Sequence, residues 1–342
     1  MSYARLAFVV GFVICGVCAL AVPAVSHAEP KSLAQLVRDA HARFKSNRSG
    51  APADYIPQLA SVPPELFAVA IVTTQGETYV AGDSDYTFSI QSVSKPFTAA
   101  LVMQEQGDAA ILEKIGVEPT GLAFNSIAAT QQLPSVTGNP LVNAGAIATV
   151  SLIQAENAEQ RFEKISAFFA RLSASQLHVL EPVYASEANH NQRNRALAYI
   201  LDVAKPKRIY ADPLEAVAVY TRQCALGVNV KQLAIMGATL ANAGDNPITK
   251  QHVLERRYVS KVLALMLMAG FYNDSGRWAF TTGLPAKTGV GGGIVAVVPG
   301  RFAIAAFSPR IDPATGSSVR AALAIRYIAE QLDLNIFDSQ LR

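Results

Sequence analysis

The spacing of apolar positions changes along the chain. Leu33, Leu36, Val37, Ala40 and Phe44 recur at three- and four-residue steps, which predicts an amphipathic helix over 32–46. A Pro-, Gly- and Ser-rich stretch over 49–64 follows as irregular chain. Phe67 to Thr74 is a continuous apolar, β-branched run. Gln75-Gly76-Glu77 turns it, and Thr78 to Ala81 returns as the second arm of a hairpin. Pro96 and the Ala-rich run from Phe97 to Met103 open a helix, because a first helical turn tolerates proline. From 100 to 270 the pattern is largely helical. Phe162, Ile165, Phe169 and Leu172 mark one helix over 158–173, and Asp212-Pro213-Leu214-Glu215 is a capped start. Asn229 caps another helix that Gly244 ends, and 253–268 is a very apolar one. The polar, turn-rich segments 118–143 and 181–197 are expected as loops, where binding groups concentrate. From 277 the period becomes two. Trp278 to Thr281, Ala286 to Val290, Ile294 to Val298 and Phe302 to Phe307 are expected as strands of an antiparallel meander, and Ser318 to Leu332 as a closing helix.

β-Elements therefore lie toward both chain ends and helices fill the middle. The expected class is α/β (α+β), with an antiparallel sheet built from both ends and flanked by helices, plus an inserted all-helical domain. The boundaries read as 29–100 with 255–342 for the sheet domain and 101–254 for the helical one, with the site between them.

Composition narrows the function. The net charge is only +3 and no long basic run exists, so no footprint for nucleic acid is present. Arg5 precedes an uncharged apolar run from Leu6 to Val22. Pro23 then breaks it, and Ser26-His27-Ala28 places small residues before a cut after Ala28. Residues 1–28 thus have the layout of a secretory signal peptide, and an exported protein is expected, periplasmic or secreted, with no stable membrane insertion after cleavage. An uncleaved anchor is the alternative. Two of the three cysteines lie in that segment. Cys224 remains alone, excluding an internal disulfide in the mature chain, and its helical context reads as a buried small hydrophobe. The five histidines show no metal-ligand spacing, so no metal site is expected.

Chemistry concentrates in Phe88 to Phe97, which contains the pair Ser92-x-x-Lys95. Residues three apart share a helix face, so Lys95 is expected beside the Ser92 hydroxyl. A lysine whose pKa is lowered by burial can take the proton that makes serine a nucleophile. Alone the pair is weak evidence, since Ser92 could equally cap a helix and Lys95 be solvated. A second cation changes that reading. Lys287-Thr288-Gly289 opens a later strand, and glycines 289 and 291–293 would let a ligand approach backbone amides. A phosphate loop is a poor reading, because the lysine precedes the glycines and a strand follows. Ser-x-x-Lys at a helix start followed by Lys-Thr-Gly on a later strand resembles the active-site-serine acylases related to β-lactamases and penicillin-binding proteins. The third element of that signature, Ser-Asp-Asn or Tyr-x-Asn, is missing.

The longer match points elsewhere. Tyr55-Ile56-Pro57, Gly82-Asp83 with Phe88 to Lys95, Glu118-Pro119-Thr120-Gly121 with Phe124-Asn125-Ser126, Asn139 to Ala146, Ser186-Glu187, Arg193-Asn194, Tyr220 to Cys224, Gly270-Phe271-Tyr272 and Gly283 to Gly293 resemble the bacterial serine-dependent glutaminase family over nearly all of 50–310. Lys-Thr-Gly stands where members often have Lys-Ser-Gly. The resemblance implies a serine β-lactamase-like fold, hydrolysis of L-glutamine to L-glutamate and ammonia through a γ-glutamyl ester, no cofactor, and a homo-oligomer. It implies Ser92 as nucleophile, Lys95 as base, and Tyr220 and Lys287 as catalytic partners. It also implies Ser92, Asn143, Glu187, Asn194, Tyr220, Tyr272 and the Val290 amide as substrate-binding groups. Chemically the set suits an amino acid: an acid for the ammonium, neutral donors and acceptors, and two backbone amides, of Ser92 and Val290, for an oxyanion. Blander readings exist for each: Glu187 a solvated loop acid, Asn143 a helix cap, Tyr220 and Tyr272 core-edge aromatics. A β-lactamase or penicillin-interacting acylase of the same fold is the alternative function, and an inactive glutamine-binding module a third.

Overall fold

The computed structural model describes Met1 and residues 31–132 and 137–338; the signal-peptide reading of 1–28 lies outside the described residues apart from Met1. Among the described residues the strands are β1 Ala68–Thr73, β2 Thr78–Gly82, β3 Phe88–Ser89, β4 Gly227–Val228, β5 Ala286–Thr288, β6 Gly293–Val298 and β7 Phe302–Phe307. Five form one antiparallel sheet in the order β2-β1-β7-β6-β5. The N-terminal hairpin thus joins the C-terminal meander through β1 and β7, with Ala68 opposite Phe307 and Thr73 opposite Phe302. Every residue of β1, β6 and β7 is buried, which is why each reads as an unbroken apolar run rather than an alternation.

The sheet is covered on both faces. Val69, Ile71, Ile294, Ala296 and Ile304 pack with Leu36, Val37, Ala324 and Ile328 of helices Leu33–Phe44 and Val319–Gln331. Ala70, Val72, Val295, Val297 and Ala303 face the other way, into the larger core with helix Val230–Ala241. On that helix a Cβ at Gly237 would come within 2.6 Å of Val295 and 2.7 Å of Ala303, so glycine sets the helix–sheet distance. Strand side chains alternate between faces. Ala286 joins the cluster of the terminal helices, and Lys287 therefore points to the opposite side. Arg320 fastens the closing helix. It is fully buried, and its guanidinium donates to Ser308 Oγ at 2.9 Å and to the carbonyls of Lys45, Pro64, Glu65 and Leu66.

Most expected elements form. Helices span Ala158–Ser173, Pro213–Cys224 with Asp212 accepting from two first-turn amides, and Val230–Ala241 with a complete capping box from Asn229. Two expectations are corrected. The first concerns Trp278 to Thr281, which is no strand but part of helix Ser275–Thr281. Ser275 and Trp278 are buried while Phe280 is 88% exposed, a three-residue step that β-rich composition hides. Trp278 stacks on Phe271 at 4.1 Å and donates to the Leu284 carbonyl at 2.8 Å. The second concerns 181–197, which is no loop. It lies in helices Glu181–Asn189 and Gln192–Val203, and 118–143 likewise contains helix Ile127–Gln132.

Candidate active site

The residues around Ser92 are held by an unusual piece of backbone. Gln91 has φ +49°, a conformation costly for a side chain other than glycine. A 3-10 turn, Gln91–Ser94, then runs into helix Lys95–Gln106 with Pro96 in its first turn. Ser94 Oγ donates to the Gln91 carbonyl at 2.6 Å, closing the turn. The glycine run after Lys287 packs against the turn. A Cβ at Gly291 would meet the Ser89 carbonyl at 2.4 Å, and one at Gly289 would meet Val93 Cγ2 at 2.9 Å. Glycine here lets protein chain pack closely against protein chain.

Ser92 opens into a cavity of about 380 Å³, whose wall also includes Tyr55, Asn143, Glu187, Asn194, Tyr220 and Val290. A second cavity of about 530 Å³ adjoins it, sharing Tyr55, Phe124, Asn125, Arg193 and Val290. Ser92 is 5% exposed, and its hydroxyl neighbours the buried Tyr272 hydroxyl. Neither the Ser92 nor the Val290 amide donates to a protein acceptor among the described residues. Those two N–H groups are thus available at the cavity.

Lys95 is buried behind Ser92, not solvated. Its Nζ does not bond Ser92, as the spacing suggested, but donates to Asn143 Oδ1 at 2.7 Å. No carboxylate lies within ion-pair distance of it among the described residues. Burial pushes Lys95 down to about 7, with Glu187 opposing the shift. Asn143 is a hub. It opens helix Asn143–Leu152, yet its side chain caps nothing: Oδ1 also accepts from the Tyr220 hydroxyl at 3.3 Å, and Nδ2 donates to Asn194 Oδ1 at 2.9 Å. Lys287 is fully buried on the edge strand β5 and donates to the carbonyls of Gly270 at 3.0 Å and Thr288 at 2.6 Å. Burial, then the Lys95 charge, holds it well below the usual lysine range.

The Tyr272 ring lies near both lysines, with Lys287 Nζ 3.9 Å and Lys95 Nζ 5.4 Å from its centre. Tyr272 also has positive φ, +56°. Its hydroxyl is buried and makes no well-formed hydrogen bond among the described residues. Burial raises its pKa, and the neighbouring Ser92 pulls it part of the way back. Tyr220 is likewise held well above the ordinary tyrosine value by burial. Among the described residues Glu187 is the one acid in the cavity wall, and at 7% exposed it is not a solvated loop carboxylate. Oε2 accepts from Gln91 Nε2 at 2.9 Å, while Oε1 has no hydrogen-bond partner among the described residues. Burial pushes Glu187 up to about 7, against the pull of Gln91 and Lys95.

All of the candidate residues converge: Ser92, Lys95, Asn143, Glu187, Asn194, Tyr220, Tyr272, Lys287 and Val290 surround one cavity or stand directly behind it. Reading the sequence gave no site role to Gln91, which hydrogen-bonds Glu187, or to the wall residues Tyr55, Phe124 and Arg193. Cys224, buried as expected, lies beneath the site, its thiol raised by burial and then by Glu187.

A sequence profile of the family described as Glutaminase matches residues 50–337. The chain belongs to the glutaminase family. The matched region includes every site residue named above. A glutaminase of Colwellia psychrerythraea strain 34H is 49% identical over 302 residues, covering 88% of this chain and 96% of that relative. One of Bordetella avium strain 197N is 49% identical over 306 residues, covering 90% and 97%. A solved structure described as probable glutaminase ybaS superposes with a TM-score of 0.87 at 49% identity, covering 89% of this chain and 97% of the other. A Bacillus glutaminase crystallised in 4.3 M NaCl superposes at 0.81 with 31% identity, covering 90% and all of its own chain. The expected fold class holds, since these neighbours share the antiparallel sheet flanked by helices.

Proposed function

We propose that this glutaminase-family chain hydrolyses L-glutamine to L-glutamate and ammonia through a γ-glutamyl ester on Ser92. The observation that carries the reading is Lys95, buried one turn from Ser92 and bonded to a neutral amide rather than to a carboxylate. A substantial share of such an amine is free of its proton near neutral pH, and that form can act as a base. As Ser92 Oγ attacks the side-chain amide carbon of glutamine, Lys95 takes the hydroxyl proton. The negative charge that develops on the amide oxygen is received by the Ser92 and Val290 amides, which have no other protein acceptor. Lys95 returns the proton to the leaving nitrogen, and ammonia departs. Water then attacks the ester, Lys95 takes its proton, and Ser92 is restored as glutamate forms. Lys287, buried beside the Tyr272 ring, is itself held low by burial and by the Lys95 charge, and Tyr220 orients Asn143. Asn194 and Asn143 offer neutral partners to the substrate, and Glu187 the charge for its ammonium.

The same assignment sets the pH dependence. Lys95 must be neutral and Glu187 ionised, and both forms prevail above about 7. kcat/KM therefore rises with pH through about 7 and falls below it more steeply than one proton accounts for, with apparent values belonging to the pair. Ammonia release from L-glutamine, measured beside nitrocefin hydrolysis across pH 5–9, tests the reading. Nitrocefin turnover without glutamine hydrolysis supports the β-lactamase alternative. A rise in melting temperature with glutamine but no ammonia supports an inactive binding module.

Export completes the proposal. Protein purified from its native host begins at Glu29 on N-terminal sequencing, and cytosolic protein beginning at Met1 overturns this part.

A further inference from the structure

Gln91 stands immediately before Ser92 and does two things at once. Its backbone makes the sharp turn, at φ +49°, that puts Ser92 at the cavity. Its side chain, 2% exposed, reaches the other side of the site and donates to Glu187 Oε2 at 2.9 Å. The backbone is itself locked by buried polar contacts. The Gln91 carbonyl accepts from Ser94 Oγ, Ser94 Oγ accepts from Gln223 Nε2 at 2.8 Å, and Gln223 Oε1 accepts from Thr98 Oγ1 at 2.8 Å. The position of the Gln91 amide is therefore set by the same framework that sets Ser92.

We propose that Gln91 is a positioning residue, holding the Glu187 carboxylate ionised and aimed into the cavity, so that it governs how strictly the site demands an α-ammonium. The inference rests on the reading of Glu187 as the ammonium's partner. The groups that face Glu187 come from four places: Gln91 from the turn, Lys95 from helix Lys95–Gln106, Tyr220 and Cys224 from helix Pro213–Cys224, and Tyr55 from the segment before Pro57. The two tyrosines and the thiol are all shifted toward their neutral forms, and burial opposes the Glu187 charge. Among the described residues Gln91 and Lys95 favour that charge, and Lys95 works as a base only when it has lost its own. The Gln91 donor is then the one support that persists in the working state.

Two variants of near-equal size test this. Gln91→Met removes the donor. Gln91→Glu places a second carboxylic acid against Glu187, and two such groups share a proton, raising the pKa of the pair. Expected is a loss in kcat/KM for L-glutamine of about ten- to a hundredfold in Gln91→Met, the range for one hydrogen bond to a charged group, carried mainly by KM. Glutaramate, the same molecule without the amino group, loses much less, so the preference for glutamine over glutaramate shrinks. The acid limb of kcat/KM moves to higher pH in Gln91→Met and further in Gln91→Glu. If both folded variants keep the wild-type preference and pH limb, the proposal is overturned even where Glu187→Gln collapses the preference. If Glu187→Gln itself lowers both substrates equally, the ammonium reading fails instead. Should Gln91→Met not fold, an unmoved limb in Gln91→Glu is equally fatal.

Discussion

Replacing Ser92 by alanine lowers kcat by at least about a thousandfold while glutamine still binds within a few-fold of its wild-type affinity. The reason lies in what the hydroxyl touches. The polar neighbour of Ser92 Oγ is the Tyr272 hydroxyl, so its removal takes one weak contact from the protein. The turn itself is closed by Ser94 and the Gln91 carbonyl, which the substitution leaves alone. The Ser92 amide, one of two proposed oxyanion donors, is retained. What disappears is the atom that forms the ester. Ammonia release and calorimetric titration with glutamine, run on the same preparation, separate the two effects. A variant that keeps a tenth of the wild-type rate rules out the ester. Lys95→Ala is expected to be nearly as inactive, since the two residues act as a unit. It is the less clean substitution, because it takes the 2.7 Å donor from the Asn143 hub and leaves Tyr220 at 3.3 Å as the only remaining donor to Oδ1.

The sheet was legible in the sequence for a physical reason. Strands buried on both faces need apolar side chains at every position, so Ala68–Thr73 and Phe302–Phe307 stand out as runs with turn residues around them. Caps were legible too, because Asp212 and Asn229 satisfy first-turn amides through their own side chains. The helices around the cavity were not. Along 183–201 the buried positions are Val183, Glu187, Asn191, Asn194, Leu197, Ala198 and Leu201, a helical period in which three of seven positions are polar. Counting only apolar positions erases that period, and the segment reads as loop. The side of these helices that would normally be a greasy stripe is here part of the cavity wall.

The site itself was legible as chemistry more than as geometry. Ser92, Lys95 and Lys287 were expected to meet, and they do; their partners were not foreseeable from spacing. Lys95 goes to Asn143 on another helix, and Lys287 to two carbonyls and the Tyr272 ring. Gln91 was invisible for a different reason. A glutamine carries no charge and no motif, and its importance comes from a backbone angle and a contact to a residue far along the chain.

Changing Glu187 to glutamine is the prediction that decides how the substrate is chosen. A free amino acid offers little surface, so selectivity rests on a few polar contacts, and a site built around them rejects analogues that lack them. Among the described residues Glu187 is the only acid lining the cavity and its Oε1 has no protein partner, so that oxygen is free to receive an ammonium. Burial raises the cost of its charge, which the substrate's own charge offsets on binding. Truncating one side of a desolvated charge pair costs about 2–5 kcal/mol, which corresponds to tens to thousands of fold in kcat/KM. Glu187→Gln preserves size and an amide acceptor, so a loss of that order reports the charge. Glutaramate brings no ammonium to the site and is a poor substrate for the wild type. The substitution costs it far less than it costs glutamine, because no ion pair is lost. The two kcat/KM values, measured in wild type and variant, give the coupling directly. Equal losses for glutamine and glutaramate assign the ammonium to another group and leave Glu187 a role in the fold alone.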